Sequence, residues 1–361
     1  VSSFLKRYAL YAVAFFVIGI GFGVWSQKHN RQLLAEATPL RVLCQENWIS
    51  EAVLKKFSRE HHVPIQFYTY SRPSELLRQM ANSDGKIDVV CTSSMLLKSL
   101  VASHWIQKTN FDDVENIQQV SVDFRHLPFD PNGEYGVPLF WNVYGFFGKQ
   151  QTQETKTWKQ TWSSKRVTLW GEELNLLYLM SRIGIDVEEG LEKENTKNIE
   201  SEVHQFAHKA SDILPPDFAV GSAEAMMSKA DWILLPLAKV ARLVGENSPY
   251  RFWLPEDGGS VEVGLLTIGS KSEQPELAKE LIGQLISTEH SLEVQRRLGS
   301  GVTNTALNSL GSIAPLQKPG ALRQFPLNRF EFPDVNVESL PRFQKIYDDN
   351  FKEKEASRRT Q

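Results

Sequence analysis

"RVLCQENWISEAVLKKFSREHHVPIQFYTYSRPSELLRQMANSDGKIDVVCTSSMLLKSLVASHW" (residues 41–105) alternates short apolar runs with amphipathic ones. Arg41 to Cys44 predicts a strand, and residues 49–60 place Ile49, Val53, Leu54 and Phe57 on one helical face. "VPIQFYTY" alternates Val63, Ile65 and Phe67 as a second strand. The next helix has Ser74 as its expected N-cap, buries Leu76, Leu77 and Met80, and ends near Gly85. "IDVVCTS" predicts a third strand with a helix after it. A βαβαβα order implies a parallel sheet with right-handed crossovers.

In such a sheet of order 2-1-3, strands 1 and 3 are neighbours whose following helices cover opposite faces. A crevice opens at their carboxyl ends. The loop after strand 1 carries Trp48, and the loop after strand 3 carries Thr92, Ser93 and Ser94. An aromatic face beside hydroxyls and helix N-termini is the chemistry of a small-molecule site. The competing expectation is that Trp48 only roofs its helix.

Outward from this stretch, the chain of 361 residues fits about two domains. A net charge of −3 gives no reason to expect nucleic acid. Two cysteines are too few for a disulfide framework, and no metal or cofactor motif is present. Glu200, His204, His208 and Asp212 recur every four residues, which is either a metal-binding stripe or, more commonly, a solvated helix face. Cys44 and Cys91 are expected near the ends of neighbouring parallel strands, where disulfide geometry is rarely met. A bond between them is left open.

Before the first strand, Lys6 and Arg7 precede an uncharged apolar run from Tyr8 to Trp25. At 1.5 Å per residue it reaches roughly 27 Å, enough to cross a bilayer core. The basic start orients the remainder outward. An uncleaved anchor is expected over residues 1–37. A removed signal peptide is the alternative, but the nearest small-residue motif, Ala35-Glu36-Ala37, lies far past the run.

Further along, "KRVTLWGEELNLLYLMSRIG" and "ADWILLPLAKVARLVG" read as strand-then-helix units. The polar tract at 149–165 reads as a connection outside the core.

Four blocks carry a family resemblance. "NWISEAVLKKFSREHHVPIQFYTYSRPSELLRQM", "DVVCTSSMLLKSLVASHWIQKTNF", "FDPNGEYGVPLFWNVYGFFGK" and "LPEDGGSVEVGLLTIGSKSEQPELAKELIGQLIS" resemble, in order, the spermidine/putrescine-binding proteins, bacterial solute-binding proteins that serve ABC importers. The resemblance implies an α/β, two-lobed periplasmic-binding-protein fold of type II, each lobe a mostly parallel sheet flanked by helices, with ligand held between the lobes. Lobe 1 would take 38–145 with 265–310 returning to it, lobe 2 would take 146–264, and the tail 311–361 would pack on lobe 2. It also implies ABC permease subunits as partners, an amine as solute, no cofactor and no enzymatic activity.

The departures are informative. Trp48 and Thr92 match the family's first aromatic and its hydroxyl. Family tyrosines fall at Glu51, Ser94 and Ser300, and a second-lobe aromatic falls at Leu235. Its acidic pair falls at Gly171 and Leu174, with Glu172 adjacent. Its tryptophan and aspartate near the last strand fall at Glu262 and Gly264. Trp48 is therefore expected to stack the ligand, and Thr92 and Ser94 to donate hydrogen bonds. Trp141 and Asn142 would line the hinge side, with Glu51, Glu172, Glu262 and Ser300 as further contacts and the carboxylates meeting positive charge. Two alternatives remain: a tethered sensor without transport, and a thiaminase-like enzyme whose nucleophile would be Cys91.

Overall fold

A computed structural model describes residues 38–149, 157–164, 166–170, 173–185, 191, 196–210, 212–214, 227, 230–240, 249–309, 330–331, 336 and 339–359. The expected anchor at 1–37 lies outside the described residues, among which no helix is long and apolar enough to cross a membrane.

The opening unit folds as the sequence predicts. β1 (Leu40–Gln45), α1 (Glu51–Glu60), β2 (Ile65–Tyr70), α2 (Pro73–Asn82), β3 (Val89–Ser93) and α3 (Ser94–Ala102) follow one another. β1 pairs in parallel with both β2 and β3, which is the 2-1-3 order. β3 is buried at every residue, as a strand covered on both faces must be. Helix α2 begins one residue before the expected cap: Arg72 is the N-cap and Pro73 takes the first turn. Proline suits that position because it lacks the N–H that would go unpaired there and its φ is already helical.

The rest of the sheet is organised by two long strands, β4 (Val137–Lys149) and β9 (Gly259–Ile268). They pair with each other antiparallel from Val137–Leu266 to Tyr144–Ser260. β9 continues onto β3, so it joins the first parallel group. β4 continues onto β7 (Trp232–Pro236), which belongs to a second parallel group with β5 (Val167–Trp170) and β6 (Asp212–Leu214). The sheet therefore runs β2-β1-β3-β9-β4-β7-β5-β6, with β8 (Tyr250–Trp253) and β10 (Gly301–Val302) on β4 and β11 (Phe330–Glu331) on β9.

Helices α4 (Trp158–Ser164), α5 (Glu173–Arg182), α6 (Thr196–Lys209) and the single turn α7 (Leu237–Val240) accompany the second group. α8 (Pro275–Leu285) and α9 (Thr288–Leu298) return to the first, and α10 (Leu340–Arg359) closes the chain. α10 packs against α6 and β6 and also against α2, where Arg72 meets Asp348 at 3.5 Å.

The polar tract at 149–165 is not all outside the core. Trp158 and Trp162, one helical turn apart, are buried on α4. The Trp158 indole N–H donates to the Gly258 carbonyl at 2.8 Å, and its backbone N–H donates to the Asp257 carboxylate. Two large apolar surfaces outweigh the polar composition around them.

Asp88, fully buried, fastens the two ends of the first group. Its carboxylate accepts from the Arg41 N–H at 2.7 Å, the Ser272 hydroxyl at 2.7 Å and the backbone N–H groups of Glu273 and Gln274 ahead of α8.

Candidate ligand-binding cavity

The turn after β1 explains "QENW". Asn47 adopts a left-handed φ of 68°, which asparagine tolerates better than most residues. The Trp48 N–H donates to the Gln45 carbonyl at 3.2 Å, closing the turn, and Ser50 then caps α1 by accepting from the Val53 N–H. The indole swings inward and meets Phe140 of β4 edge-on, with ring centroids 4.6 Å apart.

Together with Gln45, Ser71, Tyr144, Lys239, Glu262 and Ser300, these rings line a cavity of about 450 Å³. Its floor is the stretch where β4 and β9 run paired. On a strand, alternate residues share a face, and Phe140, Asn142 and Tyr144 are the three that line the cavity. Trp141 lies between them in sequence and is directed elsewhere. Its indole N–H donates to the Val302 carbonyl at 3.1 Å, and it is fully buried.

Glu262 supplies the charge. It faces Asn142 across the β9–β4 ladder and is only half-buried, yet its carboxylate accepts the Tyr144 hydroxyl at 2.7 Å. Burial pushes its carboxyl above the usual range, while hydrogen bonds from Tyr144 and Ser93 oppose that shift. Ser300 is 1 % exposed and its hydroxyl is without a hydrogen-bond partner. An unpaired buried polar atom on a cavity wall is a place for a ligand group.

The structure thus brings Trp48, Asn142, Glu262 and Ser300 together and places Glu51, Thr92, Ser94 and Trp141 elsewhere. Thr92 is enclosed within β3, and the Ser94 hydroxyl accepts the Val263 N–H at 3.0 Å, tying α3 to β9 instead of facing a ligand. Ser93, the residue between them, is the one that reaches Glu262. Glu51 points outward on α1 and pairs with Lys55 at 2.7 Å. Glu172 lies outside the described residues. Phe140, Tyr144 and Lys239 were missed by the sequence reading, which named Ser93 beside the crevice without choosing it as a contact. The first two were signalled by the strand alternation around Asn142, which also excludes Trp141 from the same face.

Gly264, where the resemblance calls for an aspartate, sits against the Phe140 ring, and a Cβ there would overlap it. The space for that carboxylate is occupied by an aromatic ring. At Leu235, where an aromatic is called for, the side chain is buried in a cluster with Phe147 and Tyr250.

Cys44 and Cys91 are bonded, with Cα atoms 4.6 Å apart. This corrects the doubt about adjacent parallel strands: β1 and β3 bring the two residues level, just before the turn that carries Trp48 and Ser93 at the end of β3. The bond also removes the thiol that a Cys91 nucleophile would need. The acidic and histidine stripe is exposed along α6, with the His204 and His208 rings 4.4 Å apart, but Asp212 belongs to β6. Among the described residues no three potential metal ligands cluster.

No protein-family model matches the chain. A spermidine/putrescine-binding periplasmic protein of Salmonella typhimurium is 22% identical over 281 residues, covering 73% of this chain and 78% of the relative. The spermidine/putrescine ABC transporter substrate-binding protein PotD of Streptococcus pneumoniae aligns with a TM-score of 0.62 at 13% identity, covering 86% of this chain and 98% of that one. A periplasmic thiamin binding protein aligns with a TM-score of 0.55 at 15% identity, covering 88% and 96%. The chain is therefore a remote relative of the spermidine/putrescine-binding periplasmic proteins, with the two-lobed fold of ABC-transporter substrate-binding proteins.

Proposed function

We propose that the chain is the periplasmic solute-binding component of an ABC importer and that it takes a small organic ammonium compound in the cavity between its two halves. The observation that carries this is the Glu262 carboxylate on β9, held by Tyr144 of β4 and Ser93 of β3 in a cavity shared with Trp48 and Phe140. A carboxylate beside aromatic faces favours an ammonium through charge pairing and cation–π attraction. The volume suits one small molecule.

The halves are residues 38–145 with 265–310, and 146–264. The β4–β9 pair that joins the two parallel groups supports that division, and two connecting strands suit hinge closure around a solute. Residues 1–37 hold this unit at the membrane, and permease subunits receive the solute.

A thermal-shift screen of the purified protein tests this, using diamines, polyamines, amino acids, quaternary amines and thiamine. A binder at a hundred times its dissociation constant stabilises the fold by about 2.7 kcal/mol, a shift of several degrees. The expected result is a shift with at least one ammonium compound that Glu262→Gln reduces at the same ligand concentration. A panel without any shift would overturn the reading.

A further inference from the structure

The cavity carries donors on one side that a polycation does not match. Lys239, on α7 directly after β7, brings an ammonium into the wall. Glu262 stands on β9, two strands away, with Asn142 of β4 between them. Strands two places apart are separated by ~10 Å, so the negative and positive groups approach the cavity from opposite sides of Asn142.

Asn142 is itself committed. Its side-chain oxygen accepts the Val143 N–H at 3.1 Å and the Ala238 N–H at 3.2 Å. What the amide still offers is its Nδ2 donor pair. Ser300 adds a buried hydroxyl without a partner. Glu46, the other carboxylate of the lining, is exposed at the rim. The wall therefore presents one inner carboxylate against a lysine, an amide N–H₂ and a hydroxyl. A second ammonium of a diamine placed near Lys239 meets like charge, whereas a carboxylate there meets donors.

We propose that the solute is a zwitterionic amino carboxylate with its charges at opposite ends, its ammonium on Glu262 and Tyr144 and its carboxylate on Lys239 and the Asn142 amide. This rests on the solute-binding reading above and names the ligand class of the same cavity. Lys239 already has a partner within the protein, so binding exchanges that partner for the solute's carboxylate.

The test pairs compounds that differ only at one end. 4-Aminobutyrate and putrescine share a four-carbon spacing class, as 5-aminovalerate and cadaverine share the next. Dissociation constants are measured by titration calorimetry on the full chain, and on its Lys239→Met and Glu262→Gln variants after their folding is verified by circular dichroism. The expected result is that at least one zwitterion binds tenfold or more tightly than its matched diamine. Lys239→Met should then collapse that preference, and Glu262→Gln should weaken both members of the pair.

A diamine that binds as tightly as its zwitterion, lost in Glu262→Gln, would overturn this inference while leaving the solute-binding reading in place. An unchanged preference in Lys239→Met would overturn it as well. If none of the four compounds binds, the zwitterion inference fails, and the broader screen alone decides the solute-binding reading.

Discussion

The Tyr144 hydroxyl of β4 donates to the Glu262 carboxylate of the neighbouring β9 across 2.7 Å. This contact lowers a carboxyl pKa that burial raises, so it sets how much of Glu262 is ionised and ready for a cation. The contact lies in the part of the sheet that joins the two parallel groups.

The affinity for an ammonium solute should rise with pH through the raised pKa of Glu262, because the carboxylate form binds. Tyr144→Phe removes a contact that lowers that pKa and should move the rise to higher pH. Calorimetric titration in two buffers of different ionisation heat should detect proton release on binding. A flat pH profile would oppose this assignment.

Stability without solute should behave the opposite way. A carboxyl with a raised folded pKa holds its proton more tightly in the folded chain than in the unfolded one. Its favourable contribution is full below the unfolded value near 4.5 and is lost as pH rises through the folded value. Glu262→Gln is therefore expected to gain stability relative to the parent as pH increases, read by denaturant midpoints across that range. At the same time it should lose ten- to a hundredfold in solute affinity, corresponding to about 1.5–3 kcal/mol for a charge-assisted hydrogen bond.

Trp48→Leu should weaken binding by roughly five- to thirtyfold, the effect of about 1–2 kcal/mol of lost ring attraction. Gly264→Ala should also weaken it, since the added methyl overlaps Phe140, which rests on Trp48. Overpacking of that kind costs about 1–3 kcal/mol. Adding Phe140→Leu to Gly264→Ala should restore the melting temperature, and a double variant no better than the single would contradict the steric account.

The Cys44–Cys91 bond closes a segment of 47 residues in sequence. In the chain-entropy model a loop of that size stabilises by about 4 kcal/mol. Replacing both cysteines by serine should lower the melting temperature by several degrees. Both residues are fully buried, so a small reductant should open the bond in denaturant and leave it intact in native buffer. Rapid reduction of the native protein, followed by thiol labelling, would refute this.

Asp88→Ala should destabilise by about 2–4 kcal/mol, because a buried acceptor of four contacts is removed and its donors lose their partner. Solute affinity at the cavity should be unchanged, since Asp88 lies at the opposite ends of the strands. Matching losses in affinity and stability would show that the two ends of the sheet are coupled.

The sequence by itself determined the opening βαβαβα unit, its 2-1-3 order and the crevice beside Trp48, because apolar periodicity and turn residues act over short spans. It also pointed to Glu262, Asn142 and Ser300, through blocks that resemble a known family. Strand alternation was legible too, and it separates Asn142 from Trp141, though the two are adjacent in the chain.

What only the tertiary structure decided was which polar groups have their hydrogen bonds met by the protein and which are left for a ligand. Ser94 looked like a donor, yet its hydroxyl holds the Val263 N–H; Ser93, its neighbour at the same crevice, is the one that reaches Glu262. Cys44 and Cys91 became a bonded pair only when β1 and β3 were set level. Lys239 entered the cavity opposite Glu262 because β4 passes from β9 to β7, a pairing between segments about a hundred residues apart. Contacts of that range depend on how the whole sheet closes, and no local pattern of side chains encodes them.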